Sequence, residues 1–332
     1  MGPTIRSARL DDLPGMASLL LADAERRRKL NPSLWPIAAD ARARIEAAVR
    51  VGLAPDVSPK QVWLLATVAG RLVGIAHGMV VPAPGIYDVA TPPGLLLDDC
   101  CTVADAPPGT AEAFLAATEE ALRAAGAGEL IASCPASGAW RRLYADAGYA
   151  PVTLYMAKSG LAERSQTTDV RIAGPDDIAG IVRLSAEHRR ALAALNPRFW
   201  PTHPDADNRF ARWMRFSLTL RDRDMLVAGP PGAMNGYIIA QPMSPLHIPA
   251  GHELSESGLV DDFYDQDFAK VARLSNDADN ARALLAAAES AFKRRGVETA
   301  LIVCPAAWMS KAALLERSGY RTAKLWMLKR KA

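Results

Sequence analysis

The chain has 332 residues, a length that favours two domains over one. Half of its residues are hydrophobic and 23% are charged, which excludes a disordered protein and lets cores form without disulfides. Lys and Arg number 39 against 36 Asp and Glu, a net charge of +3, whereas a nucleic-acid binder concentrates a large basic excess on one face. Nucleic acid is therefore excluded as the main partner. No run of about 18 apolar residues and no signal-peptide core is present, so a chain without membrane span or targeting segment is expected. The four cysteines, Cys100, Cys101, Cys134 and Cys304, form neither a CxxC pair nor a zinc spacing, which points to reduced thiols, a cytoplasmic location and no metal.

In chain order, residues 4–9 read as a short strand. Asp11 opens a helix in which Leu13, Met16, Leu19 and Leu20 repeat at helical spacing. A second helix is expected over 38–49. Two β-rich runs, 62–68 and 72–79, flank Ala69-Gly70-Arg71 and form a hairpin. Residues 94–103 read as one buried strand. A helix follows over 110–125 with Phe114, Leu115 and Leu122 on its apolar side and Gly126 as its stop. A strand at 130–133, a helix at 139–146 and a strand at 152–157 complete the pattern.

The pattern then repeats. Leu30-Asn31-Pro32-Ser33-Leu34-Trp35-Pro36 returns as Leu195-Asn196-Pro197-Arg198-Phe199-Trp200-Pro201. Ile5-Arg6 with Asp11-Asp12 returns as Val170-Arg171 with Asp176-Asp177. Gly94-Leu95 with Asp98-Asp99 corresponds to Gly258-Leu259 with Asp261-Asp262, Cys134-Pro135-Ala136 to Cys304-Pro305-Ala306, and Gly148-Tyr149 to Gly319-Tyr320. The expected organisation is a domain over 1–159, a polar linker over 160–168 and a second domain over 169–332.

The order of elements, with a strand and a glycine-bearing loop leading into the central helix, resembles the GCN5-related N-acetyltransferase (GNAT) fold. The segment Leu143-Tyr144-Ala145-Asp146-Ala147-Gly148-Tyr149 resembles the family's Leu-Tyr-x-x-x-Gly-Phe signature. The resemblance implies an α/β (α+β) protein of two tandem GNAT-like domains, each a mixed, mostly antiparallel sheet flanked by helices. It implies an acyl-CoA-dependent N-acyltransferase that takes acetyl-CoA as cosubstrate and a primary amine as acceptor. The different class left open is a non-catalytic tandem module that binds acyl-CoA or regulates.

In the family an Arg/Gln-x-x-Gly-x-Gly/Ala loop receives the cofactor pyrophosphate, because a helix N-terminus offers unpaired N–H groups and glycine permits close approach. The first copy reads Ala106-Pro107-Pro108-Gly109-Thr110-Ala111, which keeps the Gly-x-Ala half. Gly109, Thr110 and Ala111 are thus the implied pyrophosphate residues, and the backbone of Cys101 and Val103 the implied flank of the pantetheine arm. In the second copy Asn276-Asp277-Ala278-Asp279-Asn280-Ala281 puts Asp279 at the glycine position, where a carboxylate repels phosphate. Tyr144 is the implied general acid for the departing thiolate, and its counterpart is Leu315. Both losses make the first copy the candidate active one.

Strand alternation places Asp98 and Asp99 on opposite faces, with Asp99 as the candidate base; a structural role fits the pair as well, since Asp261-Asp262 persists in the second copy. Trp35 and Trp200 read as packing anchors, His77 and His188 as structural histidines, and Cys134 and Cys304 as small buried hydrophobes. Lys329-Arg330-Lys331 reads as a solvated tail. Loops 82–93 and 242–252 are where acceptor specificity is expected, without recognisable chemistry.

Overall fold

A computed structural model describes residues 2–163, 169–230, 232–275 and 277–330; most of the expected linker (164–168), Asn276 and Lys331 lie outside the described residues. The first copy runs β1 (Thr4–Ser7), α1 (Leu13–Leu30), α2 (Ala41–Gly52), β2 (Gln61–Val68), β3 (Arg71–Val80), β4 (Gly94–Leu96), β5 (Cys101–Thr102), α3 (Thr110–Ala124), β6 (Leu130–Pro135), α4 (Ala139–Asp146) and β7 (Tyr149–Ser159). The second runs β8 (Val170–Ile172), α5 (Ile178–Leu195), α6 (Ala206–Ser217), β9 (Asp224–Ala228), β10 (Gly236–Pro242), β11 (Ser257–Val260), β12 (Phe263–Asp265), α7 (Asp279–Arg294), β13 (Thr299–Pro305), α8 (Met309–Arg317) and β14 (Arg321–Lys329).

The Arg-Asp repeat has a plain physical purpose. Arg6 makes two hydrogen bonds to Asp12, at 2.7 and 2.6 Å, and Arg171 makes two to Asp177, both at 2.6 Å. Each bidentate pair ties the first strand of a copy to the start of its first long helix. The helix begins after Asp12 rather than Asp11, because the Asp12 carboxylate also accepts the Arg9 amide at 2.8 Å.

The fourteen strands among the described residues all join one sheet. Its main path is β1-β2-β3-β4-β6-β14-β7-β13-β11-β10-β9-β8, with β5 paired to β3 and β12 to β10. That order is the same from either end when copy is exchanged for copy. At its centre the last strand of each copy crosses into the other: β14 lies between β6 and β7, and β7 lies between β13 and β14. β4–β6 and β11–β13 are the parallel pairs; the rest are antiparallel. The exchange carries ion pairs with it. Lys329 of β14 donates to Glu119 of α3 at 2.8 Å, and Lys158 of β7 donates to Glu289 of α7 at 2.8 Å. The tyrosine of each Gly-Tyr pair bonds the same glutamate, Tyr149 to Glu119 and Tyr320 to Glu289. Lys329, read from sequence as part of a solvated tail, is thus held beside the Tyr149 ring, 4.9 Å from its centroid.

Helices cover both faces. On one face Met16 and Leu20 of α1 and Ile45 and Val49 of α2 pack against Trp63, Leu65 and Ile75. On the other, Phe114 of α3 packs on Leu64, Ala66 and Val73, and Leu115 and Tyr144 pack on Leu96, Ala132 and Leu325.

The duplicated Leu-Asn-Pro-x-x-Trp-Pro segment clamps the opposite copy. Pro36 accepts the Glu253 amide at 2.8 Å and Ala38 donates to Gly251 at 3.1 Å, while Pro201 accepts the Asp88 amide at 2.7 Å and His203 donates to Ile86 at 2.9 Å. Trp35 and Trp200 are buried; Trp35 packs with Met243 and Ile248 of the other copy. Two consequences can be measured. Trp35→Ala is expected to cost ~3–5 kcal/mol in denaturant unfolding, the usual cost of truncating a buried tryptophan. Residues 1–159 produced alone, lacking β14, are expected to show no cooperative unfolding transition by circular dichroism.

Candidate active site

β4 and β6 pair in parallel from Gly94 with Leu130 to Leu96 with Ala132. Beyond that point β5 pairs with β3, and β6 continues beside β14, so the sheet opens as a wedge between Cys100–Thr102 and Ser133–Pro135. The cause is a turn at 97–100. Met79 faces Leu95 and Ile75 faces Cys101, so the β4–β5 segment carries two residues more than β3 opposite it and cannot keep both partners. The single strand expected over 94–103 is therefore two short ones.

A cleft of about 600 Å³ lies on this wedge between α3 and α4, lined by Thr102 of β5, Ala111, Leu115 and Glu119 of α3, Trp140, Arg142 and Leu143 of α4, and Lys329. At its mouth Gly109 caps α3 with φ +81°, and a Cβ there would meet nothing within 4 Å. The Gly109, Ala111 and Glu112 amides make no hydrogen bond among the described residues, so the helix presents free donors there. Thr110 instead folds back, its hydroxyl on the Pro107 carbonyl at 2.6 Å. Arg142 pairs with no carboxylate among the described residues.

Tyr144 is fully buried beneath Trp140, whose ring lies 5.7 Å away. Its hydroxyl lies against the Cys100 thiol and meets no other polar group among the described residues. Burial, with Cys100 and Cys134 close by, holds its proton well above the ordinary phenol range; those two cysteines are the walls of the wedge. All four cysteines are buried thiols. Of the residues placed beside the arm by the resemblance, Cys101 packs against Leu13, Met16 and Ile75 on the α1–α2 face, and Val103 donates its amide to Val73 at 2.9 Å. The β5 residue on the cleft is Thr102.

The equivalent place in the second copy is closed. Where α4 is capped by Gly138, whose Cβ direction is open space, α8 is capped by Trp308. Trp308 is fully buried and donates to the Phe268 carbonyl at 2.8 Å; Ser310 donates to the same oxygen at 2.9 Å, and Lys311 to the Phe263 carbonyl at 2.9 Å. The left-handed cap of α7 is Ala278, φ +55°, so it is Ala278 that matches Gly109, while Asp279 is the exposed first residue of the helix. The carboxylate that reaches the helix amides is Asp267, which accepts from Ala281 at 3.1 Å.

The turn at 97–100 also turns both carboxylates of the first copy toward the α1–α2 face, where alternation predicts opposite faces. Asp99 accepts from His77 Nδ1 at 2.8 Å, and His77 Nε2 meets Gln61 Oε1 at 3.0 Å while stacking on Trp63. Burial opposes ionisation of Asp99, but the bond from His77 and the nearby Arg27 outweigh it and hold its pKa below the usual carboxylate value. Asp98 is buried in an ion pair with Lys324 of β14, and Arg27 donates to its backbone carbonyl. Trp35, Leu34, Ile248 and His252 are buried on the same face.

The second copy is open on this face. A cavity of about 1190 Å³ is lined by β4 and β6, by β7, β13 and β14, by α5 and α6, and by Asp261 and Asp262, with loop 81–91 of the first copy along it. Tyr237 donates to Asp262 at 2.6 Å. Asp261 opens into this cavity, and the loss of water between the cavity walls, with the neighbouring Asp262, raises its pKa to about 6. Among the described residues no group of His, Cys, Asp and Glu is placed to hold a metal, and no helix is long and apolar enough to cross a membrane.

No protein-family model and no curated protein sequence matches the chain. Solved structures do. A GCN5-related N-acetyltransferase from Sphaerobacter thermophilus aligns over 98% of this chain and 94% of its own, with TM-score 0.57 at 17% identity. A tandem GNAT protein from the clavulanic acid biosynthesis pathway aligns over 98% and 97%, with TM-score 0.53 at 14% identity. A GNAT-family acetyltransferase from Colwellia psychrerythraea aligns over 98% of both chains, with TM-score 0.50 at 14% identity. The chain has the fold of the GCN5-related N-acetyltransferases over nearly its whole length, a mixed α/β structure with a mostly antiparallel sheet flanked by helices.

The Asp98–Lys324 pair joins the two copies through a buried charge. Lys324→Met is expected to destabilise the protein by ~3–5 kcal/mol, because Asp98 is then left buried without its cation. Adding Asp98→Leu is expected to recover most of that loss in the same denaturant titration.

Proposed function

We propose that the protein is an acyl-CoA-dependent N-acyltransferase that transfers acetyl from acetyl-CoA to a primary amine, with the first copy as the cofactor-binding and active one. The observation that carries this reading is the contrast between the two α-helical clefts: Gly109 and Gly138 leave the first open, and Ala278 and Trp308 belong to the closed second.

In this reading the free amides of Gly109, Ala111 and Glu112, with Arg142, hold the pyrophosphate. Thr102, Leu115, Trp140 and Leu143 flank the arm. The amine attacks the thioester carbon, the C–S bond breaks, and Tyr144 gives its proton to the departing sulfur. Burial keeps that phenol protonated at neutral pH, as an acid must be. The Asp99–His77 pair on the opposite face accepts the proton lost by the attacking amine. Most of the acceleration comes from holding amine and thioester together in the wedge.

A second reading, a module that binds acyl-CoA without turnover, is favoured by Leu34, Trp35, Ile248 and His252, which fill the face beside Asp98 and Asp99. Isothermal calorimetry with CoA is expected to give one site per chain, lost in Gly109→Asp. Two sites, or one that survives the substitution, count against the assignment to the first copy. Thiol release from acetyl-CoA with a panel of primary amines separates enzyme from module. In single-turnover measurements Tyr144→Phe is expected to slow release by about 10²–10⁴-fold, with CoA affinity and Tm unchanged. An unchanged rate makes Tyr144 a packing residue.

A further inference from the structure

The central cavity is not used by the proposed transfer in the first copy, and it has the marks of a ligand site. At about 1190 Å³ it is as large as pockets that enclose whole small molecules, roughly 300–1,000 Å³. Its walls are aromatic and aliphatic, with Tyr155, Phe199, Trp200 and Trp326 among them. We propose that this cavity binds a cationic, mainly apolar ligand, an ammonium group on an aromatic or branched aliphatic body, with Asp261 as its counter-ion.

The charges on the wall select the sign. Among the described residues three arginines line the cavity, and each is already paired: Arg189 with Asp207, Arg198 with Glu129, and Arg209 with Asp205. Lys311 is fully buried and donates to the Phe263 carbonyl. Asp262 is bonded by Tyr237 and faces His188 Nδ1 at 3.4 Å. Asp261 has no cation within ion-pair distance among the described residues; its carboxylate opens into the cavity, with Gln241 as hydrogen-bond partner and Asp262 beside it. A carboxylate bonded by an amide, set beside a second carboxylate and left without a counter-ion is stabilised by a cation that enters, and the aromatic faces of the cavity add a further attraction for it.

A second observation points the same way. His188, more than nine-tenths buried, lies on the wall with Nε2 unpartnered, and the Trp326 indole N–H is likewise without a partner. Buried polar groups are normally satisfied, so a ligand carrying polar atoms as well as its cation fits the site. That the cavity binds without transferring acyl groups rests on the proposed loss of cofactor binding in the second copy.

The test uses the full-length protein without acyl-CoA, so it stands apart from turnover. Dansylcadaverine, an apolar fluorophore bearing a primary ammonium, is titrated against its N-acetyl derivative, which keeps the body and loses the charge. The expected result is saturable one-to-one binding with about a tenfold preference for the ammonium. Asp261→Asn is expected to remove the preference and Asp261→Glu to keep it. CoA calorimetry unchanged in both variants shows that the fold is intact. Equal affinity for the two probes, a preference that survives Asp261→Asn, or no saturable binding overturns the proposal.

Discussion

The pairing of β7 with β14 is the constraint on which the rest of the architecture depends. Each is the last strand of its copy, and each completes the other copy's side of the sheet. Were they kept at home, beside β6 and β13, two separate sheets would result, each ending in a bare edge at β7 or β14. Exchange removes both edges and brings Lys329 to Glu119 and Lys158 to Glu289. It also places the loop after β3 over the second copy and the loop after β10 over the first. The duplicated tryptophan segments then fasten those loops by backbone hydrogen bonds. The central cavity follows from the same arrangement, since its walls come from strands of both copies.

On that shared scaffold the copies have diverged in complementary ways. The first is open on the α3–α4 side and packed on the α1–α2 side; the second is packed between α7 and α8 and open beside α5 and α6. A few residues decide it. Gly138 against Trp308 changes the volume at one helix cap by a whole indole. The longer connection after β12 folds Phe268 inward to accept from that indole. In the first copy Ile248 and Trp35 fill the face that in the second remains a cavity.

Much of this was legible in the sequence because it is local. The repeated Arg-Asp spacing, the Trp-Pro segments and the Gly-Tyr pairs each mark a contact that forms in both copies. The GNAT resemblance carried the order of elements, and the fold agrees with it. The exchange was not legible: β7 and β14 have the same alternation whether they pair at home or across. The turn at 97–100 was hidden because Leu-Leu-Leu-Asp-Asp-Cys-Cys reads as a continuous strand until β3 opposite it is counted. Ala278 rather than Asp279 is the counterpart of Gly109, and the sequence does not show it because left-handed backbone is not expected of alanine. Arg142 and Thr102 carried no motif, and the residues of the central cavity come together from segments far apart in the chain.

The exchange has a consequence for biosynthesis. A ribosome makes β7 in the middle of the chain and β14 after every other described element, so the first copy waits for nearly the entire second copy before its central strand exists. Until then β6 presents a bare edge, and the nascent first copy is an incomplete sheet of the kind that chaperones hold. The two copies consequently cannot mature one after the other, as independent tandem domains do; they close together, in one late event, when the final strand slides between β6 and β7.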